Sequence, residues 1–145
     1  MQRVILMRRA PIRRDAQLLQ QRLERAFQNP WSQTTVVSVV ARPREAWHPA
    51  TDVYETEAAF VVKVELPGMR DAEIQITLDE YGLHIGGVRR EQRPNAPRAY
   101  HQMGIPSGPF ELEVFIGQPF DPERVQAEYD DGFLVVEVPK GRDVG

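Results

Sequence analysis

The chain has 145 residues, 41% of them apolar, with 12 prolines, 10 glycines, no cysteine and a net charge of −3, which suits one domain with a tail and argues against a wholly disordered chain. Without cysteine there is no disulfide framework and no thiolate zinc site, so a reducing, cytoplasmic setting is expected. Apolar runs as short as Val4-Ile5-Leu6-Met7 fit neither a bilayer span nor a signal-peptide core, so no membrane partner is expected.

The charge is uneven. Residues 1–45 carry nine arginines against Asp15, Glu24 and Glu45, a net +6, and residues 46–145 carry a net −9. A basic arm on an acidic body binds nucleic acid or anionic lipid, or lies against acidic surfaces of its own or neighbouring subunits. The second reading is favoured, and no nucleic acid is expected, because no aromatic residues interleave the arginines as single-strand binders require.

Within the arm, residues 15–29 predict an amphipathic helix. Asp15 serves as N-cap, Leu19, Leu23, Ala26 and Phe27 share one stripe, and Pro30 disfavours helical geometry at Asn29. An isolated helix of this length is marginal in water, so the stripe needs a partner surface. The Arg-rich, acid-poor start also has the texture of an organelle-targeting peptide, the weaker alternative. Val36, Val37, Val39 and Val40 then form a short β-prone patch, and Arg42-Pro43-Arg44 marks a linker.

From Trp47 the pattern becomes one of short alternating strands. Phe60, Val62, Val64 and Leu66 share a face, with a turn at Pro67-Gly68; Ile74, Ile76 and Leu78 alternate with polar residues; Leu83 and Ile85 follow, on a strand expected to fade at Gly86-Gly87. Phe110, Leu112, Val114 and Ile116 form another face. Val125, Ala127 and Tyr129 lead into a hairpin turn at Asp130-Asp131-Gly132 and a last strand, Phe133 to Val138. Strands at this spacing without intervening helices predict an all-β fold, an immunoglobulin-like antiparallel β-sandwich over residues 47–140, preceded by a helical arm (1–46) and followed by a short tail (141–145). About twenty residues before Phe110 resist this plan, since a structureless connection of that length is unusual inside a compact domain. Tyr100-His101-Gln102-Met103 has strand character without a local partner; pairing with another subunit's edge would satisfy it.

No chemistry-bearing constellation emerges. His48, His84 and His101 lack metal-ligand spacing, no Gly-x-Ser-x-Gly elbow exists, and Gly82 to Gly87 is not followed by Gly-Lys-Ser. Neither an enzyme, a metal nor a cofactor is expected.

Several segments in order resemble the alpha-crystallin domain of the small heat-shock protein family. They are Asp52-x-x-Glu55-Thr56 with Phe60-Val61-Val62-x-Val64-x-Leu66-Pro67-Gly68, then Leu83-x-Ile85-x-Gly87-x-Arg89, Tyr100-His101, and Gly108-x-Phe110. Last comes Ala127-x-x-x-x-Gly132-Phe133-Leu134 ending in Val138-Pro139-Lys140, with Phe133 where Val is usual. The resemblance covers about residues 47–140.

It implies an ATP-independent holdase that captures partly unfolded proteins, the alternative being a co-chaperone adaptor with one defined partner. Client contact falls to Leu19, Leu23, Phe27, Trp31, Val37 and Val39, and to a groove between strands bearing Ile74, Ile76 and Leu78 and Val125, Ala127 and Tyr129. Homodimers are implied through exchange of the strand holding Tyr100, His101 and Met103 onto a partner's strand holding Ala50, Asp52 and Tyr54. Two departures bear on assembly. The six residues after Pro139 hold no Ile-x-Ile pair to fill a neighbour's groove. Leu112 replaces a common arginine, and Gly104-Ile105 replaces an acidic-basic pair. Small assemblies, dimers to low oligomers, are therefore expected. Val37-Ser38-Val39 repeats the apolar-polar-apolar spacing and is the expected occupant of the groove; Val4-Ile5-Leu6 offers the same geometry nearer the terminus.

Overall fold

A computed structural model describes residues 3–4, 7–10, 12, 37–40, 46–70, 73–91 and 96–141. The helix expected over 15–29 lies outside them, as do Leu19, Leu23, Phe27 and Trp31. The described residues form two five-stranded sheets packed face to face.

Seven strands build the sandwich: β4 (Thr51–Glu55), β5 (Ala59–Glu65), β6 (Ile74–Asp79), β7 (Gly82–Arg89), β8 (Gly108–Ile116), β9 (Gln126–Asp130) and β10 (Phe133–Pro139). They are preceded by three short strands of the arm: β1 (Arg3–Val4), β2 (Met7–Arg9) and β3 (Val37–Val40). One sheet runs β1-β9-β10-β5-β4 and the other β2-β6-β7-β8-β3. The pairing is antiparallel throughout, except that β2 lies parallel to β6. An all-antiparallel sandwich was expected. The exception arises because β2 enters from the arm and not through a hairpin, which alone would impose the antiparallel sense.

Period-2 alternation puts Phe60, Val62, Val64 and Leu66 of one sheet against Leu83, Ile85, Leu112 and Val114 of the other, all fully or almost fully buried. The turn between β9 and β10 needs two residues at positive φ, and Asp131 (50°) and Gly132 (81°) supply them in the form that matches strand twist. The β6–β7 turn is held by Asp79, whose carboxylate accepts from the backbone N–H of Tyr81 (2.9 Å) and Gly82 (3.1 Å).

Strand β7 does not fade at Gly86-Gly87 but continues to Arg89. A Cβ on Gly87 would stand 2.0 Å from the carbonyl oxygen of Glu73. The glycine thus admits a neighbouring backbone, one of the two meanings a strand glycine carries, and does not end the strand. Residues 96–107 form no strand, although Tyr100 to Met103 had strand character; among the described residues they join no ladder.

Candidate functional site

The residues expected at the groove and the dimer interface lie at or near the sheet edges. The seven sandwich strands leave four of them, and arm segments cover three. β1 pairs with β9 (Val4 opposite Glu128) and β2 with β6 (Met7 opposite Ile76). β3 pairs with the end of β8 (Val37 opposite Ile116), and Trp47 bridges to Phe110 farther along the same edge. Of the seven sandwich strands, only β4 has no strand on its outer side among the described residues.

That bare edge has a definite face. Glu65 N–H donates to the Ala50 carbonyl (2.9 Å), and Thr56 N–H to the Ala59 carbonyl (2.8 Å). Backbone groups alternate along an antiparallel ladder, so Ala50, Asp52 and Tyr54 turn theirs toward β5, while Thr51, Val53 and Glu55 point theirs away from the sheet. The side chains of Ala50, Asp52 and Tyr54 are all exposed. The sequence pattern named these three residues; the pairing groups at the edge belong to the three between and after them, a phase that only the β4–β5 register fixes.

The other named half of the interface is equally open. Tyr100 is 49% exposed, Met103 69% and the neighbouring Ile105 83%, and His101 is exposed too. Exposure on this scale for three large side chains within six residues calls for a covering surface. The segment is tethered at its ends. Tyr100 Oη donates to Glu91 Oε1 (2.6 Å) and accepts from Arg98 Nε (2.9 Å). Arg89 lies 4.3 Å over the Trp47 ring and donates to the Pro106 carbonyl.

Ile74, Ile76 and Leu78 on β6 and Val125, Ala127 and Tyr129 at β9 do face each other across the open side of the sandwich, and all six are buried. Tyr129 closes the end of this groove: its hydroxyl donates to the Leu66 carbonyl and accepts from Met69 N–H (3.3 Å). Val37 and Val39, expected to dock there, do not pair with either of its edges in this chain. Strand β3 lies on β8, at the opposite edge of that sheet from β6. The two edges beside the groove carry β1 and β2; of the alternative stretch Val4-Ile5-Leu6, the last two residues lie outside the described ones. An apolar-polar-apolar triplet suits any open edge equally, and its spacing alone does not select one.

The histidines form no site together. His84 Nε2 and Glu111 Oε1 are 2.6 Å apart, His48 Nδ1 is hydrogen-bonded to the Glu111 carbonyl (2.7 Å), and His101 stands apart on the exposed segment. No group of three potential metal ligands occurs among the described residues. Sequence reading missed Phe115, 1% exposed yet in the opposite phase of β8 from the sandwich core. The signal was available: an aromatic residue stands where Glu111 and Glu113 set a polar phase.

The described residues thus form a two-sheet β-sandwich whose edges carry short extended segments of the arm. Residues 52–144 match the model of the Hsp20/alpha crystallin family, and the chain belongs to that family. It is 28% identical to small heat shock protein C2 of Rickettsia felis over 92 residues, 63% of this chain and 60% of that relative. The chain spans about three-fifths of the length of the first curated relatives it matches. Among solved structures it is similar to heat shock protein 16.0 of Schizosaccharomyces pombe, with TM-score 0.61 and 27% identity over 71% of this chain and 73% of that one. A small heat-shock protein of Xylella fastidiosa gives TM-score 0.58 and 26% identity over 68% and 91%.

Proposed function

We propose that this protein is an ATP-independent holdase that keeps partly unfolded proteins from aggregating, working as a dimer or low oligomer in the cytoplasm. Family membership supports the class of activity. The observation that carries the reading is the groove between β6 and β9. Its sides are apolar and buried, and the two sheet edges that flank it each pair with a short extended stretch of the chain's own arm, β1 and β2, which is the conformation an unfolded segment offers. Binding of this kind joins main-chain pairing at an edge to apolar contacts from alternate side chains. It needs no catalytic residue, because capture is a matter of covered apolar area. Leu19, Leu23, Phe27, Trp31, Val37 and Val39 are proposed to add apolar surface from the arm.

The dimer is proposed to form between the bare β4 edge of one subunit and residues 98–103 of the other. The outer side of β4 carries no strand and residues 98–103 form none among the described residues, and a reciprocal exchange would bring the two together as a ladder, as two-fold symmetry requires. Nothing among the described residues favours a one-partner adaptor. The test is thermal aggregation of a labile enzyme followed by light scattering without nucleotide. Added full-length chain should hold scattering near baseline. Unchanged scattering, or suppression appearing only with ATP, would refute the holdase reading.

A further inference from the structure

Arg89 puts a charge in the core phase of β7. As the last residue of that strand it follows Leu83, Ile85 and Gly87 on the face turned toward the other sheet. There it sits half-buried at the end of the sandwich. Its guanidinium lies 4.3 Å over the Trp47 ring, donates to the Pro106 carbonyl and reaches the Pro67 carbonyl at 3.5 Å. Trp47 is itself fixed. Its Nε1 donates to the Gly108 carbonyl (3.1 Å) and its backbone N–H to the Pro109 carbonyl (3.1 Å). Its carbonyl accepts from Glu111 N–H (3.2 Å), and its ring packs on Phe110 with centroids 5.6 Å apart. A guanidinium stacked on an indole while its fork donates to carbonyls is held in one orientation, which a lysine does not reproduce.

The chain leaves this joint in two directions. Four residues after Trp47, β4 begins at Thr51. Three residues before Pro106 stands Met103, the end of the stretch proposed for exchange. At roughly 3.3–3.6 Å per residue these tethers reach no farther than about 13–14 Å and 10–11 Å. Both halves of the proposed interface, the receiving edge and the outgoing stretch, are thus tied to one side chain. A reciprocal exchange uses both halves of each subunit, and the two contacts close into a two-fold dimer only when the halves stand correctly relative to each other. Presetting that geometry also gives the second contact a high effective concentration once the first has formed.

We propose that Arg89 is a positioning residue for assembly: with Trp47 it holds the β4 edge and residues 98–103 in the relative geometry at which both contacts of the dimer close together. The proposal rests on the exchange dimer put forward above and names the residue that aims it.

The test is sedimentation velocity over a concentration series on full-length chains. Arg89→Ala should raise the dimer dissociation constant at least tenfold, and Arg89→Lys, which keeps the charge without the fork, at least fivefold. In a second background, four Gly/Ser residues inserted between Gly104 and Ile105 free the outgoing stretch from the joint. That insertion should weaken the dimer by itself, and Arg89→Ala should then weaken it less than twofold further. An arginine that only stabilised the sandwich would cost the same factor in both backgrounds. Unchanged dimerisation in Arg89→Ala or Arg89→Lys, or an equal loss with and without the insertion, would overturn the positioning role. Failure of the exchange dimer itself reads differently: Val53→Pro and deletion of residues 99–103 then leave the dimer mass unchanged, whatever Arg89 does.

Discussion

Replacing Val53 by proline tests the bare edge without disturbing the sheet behind it. The Val53 N–H points away from β5, so proline removes no hydrogen bond from the β4–β5 ladder. Edge strands accept proline where the N–H faces outward, and Asp52, the residue before it, is already extended as a pre-proline residue prefers. The sandwich should therefore keep its melting temperature within a few degrees. The dimer should not survive equally well. One inter-subunit bond is lost, about 1 kcal/mol net, and the partner's carbonyl is left facing a ring, about 1–3 kcal/mol if buried. A penalty of about 2–4 kcal/mol per edge corresponds to a roughly 30- to 700-fold weaker dimer. Sedimentation velocity over a concentration series, with thermal melts alongside, measures both. An unchanged dimerisation constant would show that β4 is not the interface. A collapsed melting temperature would show that the ladder phase assigned to Val53 is wrong.

Other outcomes follow from the same geometry. Deleting residues 99–103 should leave a folded monomer by sedimentation, and a persistent dimer mass would place the interface elsewhere. Replacing Leu19, Leu23 and Phe27 together by Ser removes side chains each worth about 1.5–3 kcal/mol when fully covered. Aggregation suppression should then fall strongly while the melting temperature hardly moves; retained suppression would locate client contact in the groove. Tyr129→Phe strips the hydroxyl that links Leu66 to Met69 and leaves two buried backbone groups unserved. The cost should be about 1–3 kcal/mol, read as a lower urea midpoint at constant slope.

The sandwich was legible because each strand repeats one apolar face at period 2, and because Pro67-Gly68 and Asp130-Asp131-Gly132 mark turns chemically. Tyr100 to Met103 had strand character by sequence, and among the described residues it forms no strand and is exposed. What the sequence did not reveal was which edge each arm segment joins. Val37-Ser38-Val39 carries the pattern of a groove occupant and lies on β8, whereas Arg3-Val4 and Met7-Arg8-Arg9, with more charge, lie on β9 and β6. Pairing partners are decided by chain reach and by which edges remain open, quantities of the folded whole and not of a three-residue window. Gly87 misled for a related reason. Its role is set by the Glu73 carbonyl beside it, a contact that appears only once β6 and β7 are in register.

The account centres on capture by covered surface and not by turnover, and stoichiometry tests this most directly. A heated, labile client is titrated with the full-length chain in the absence of nucleotide, and soluble complexes are resolved by size-exclusion chromatography. The account predicts suppression that rises in proportion to added chain and saturates near one subunit or dimer per client, with both proteins co-eluting and the client chemically unaltered. Protection by a small fraction of an equivalent, or a client that stays soluble without co-eluting, would contradict it.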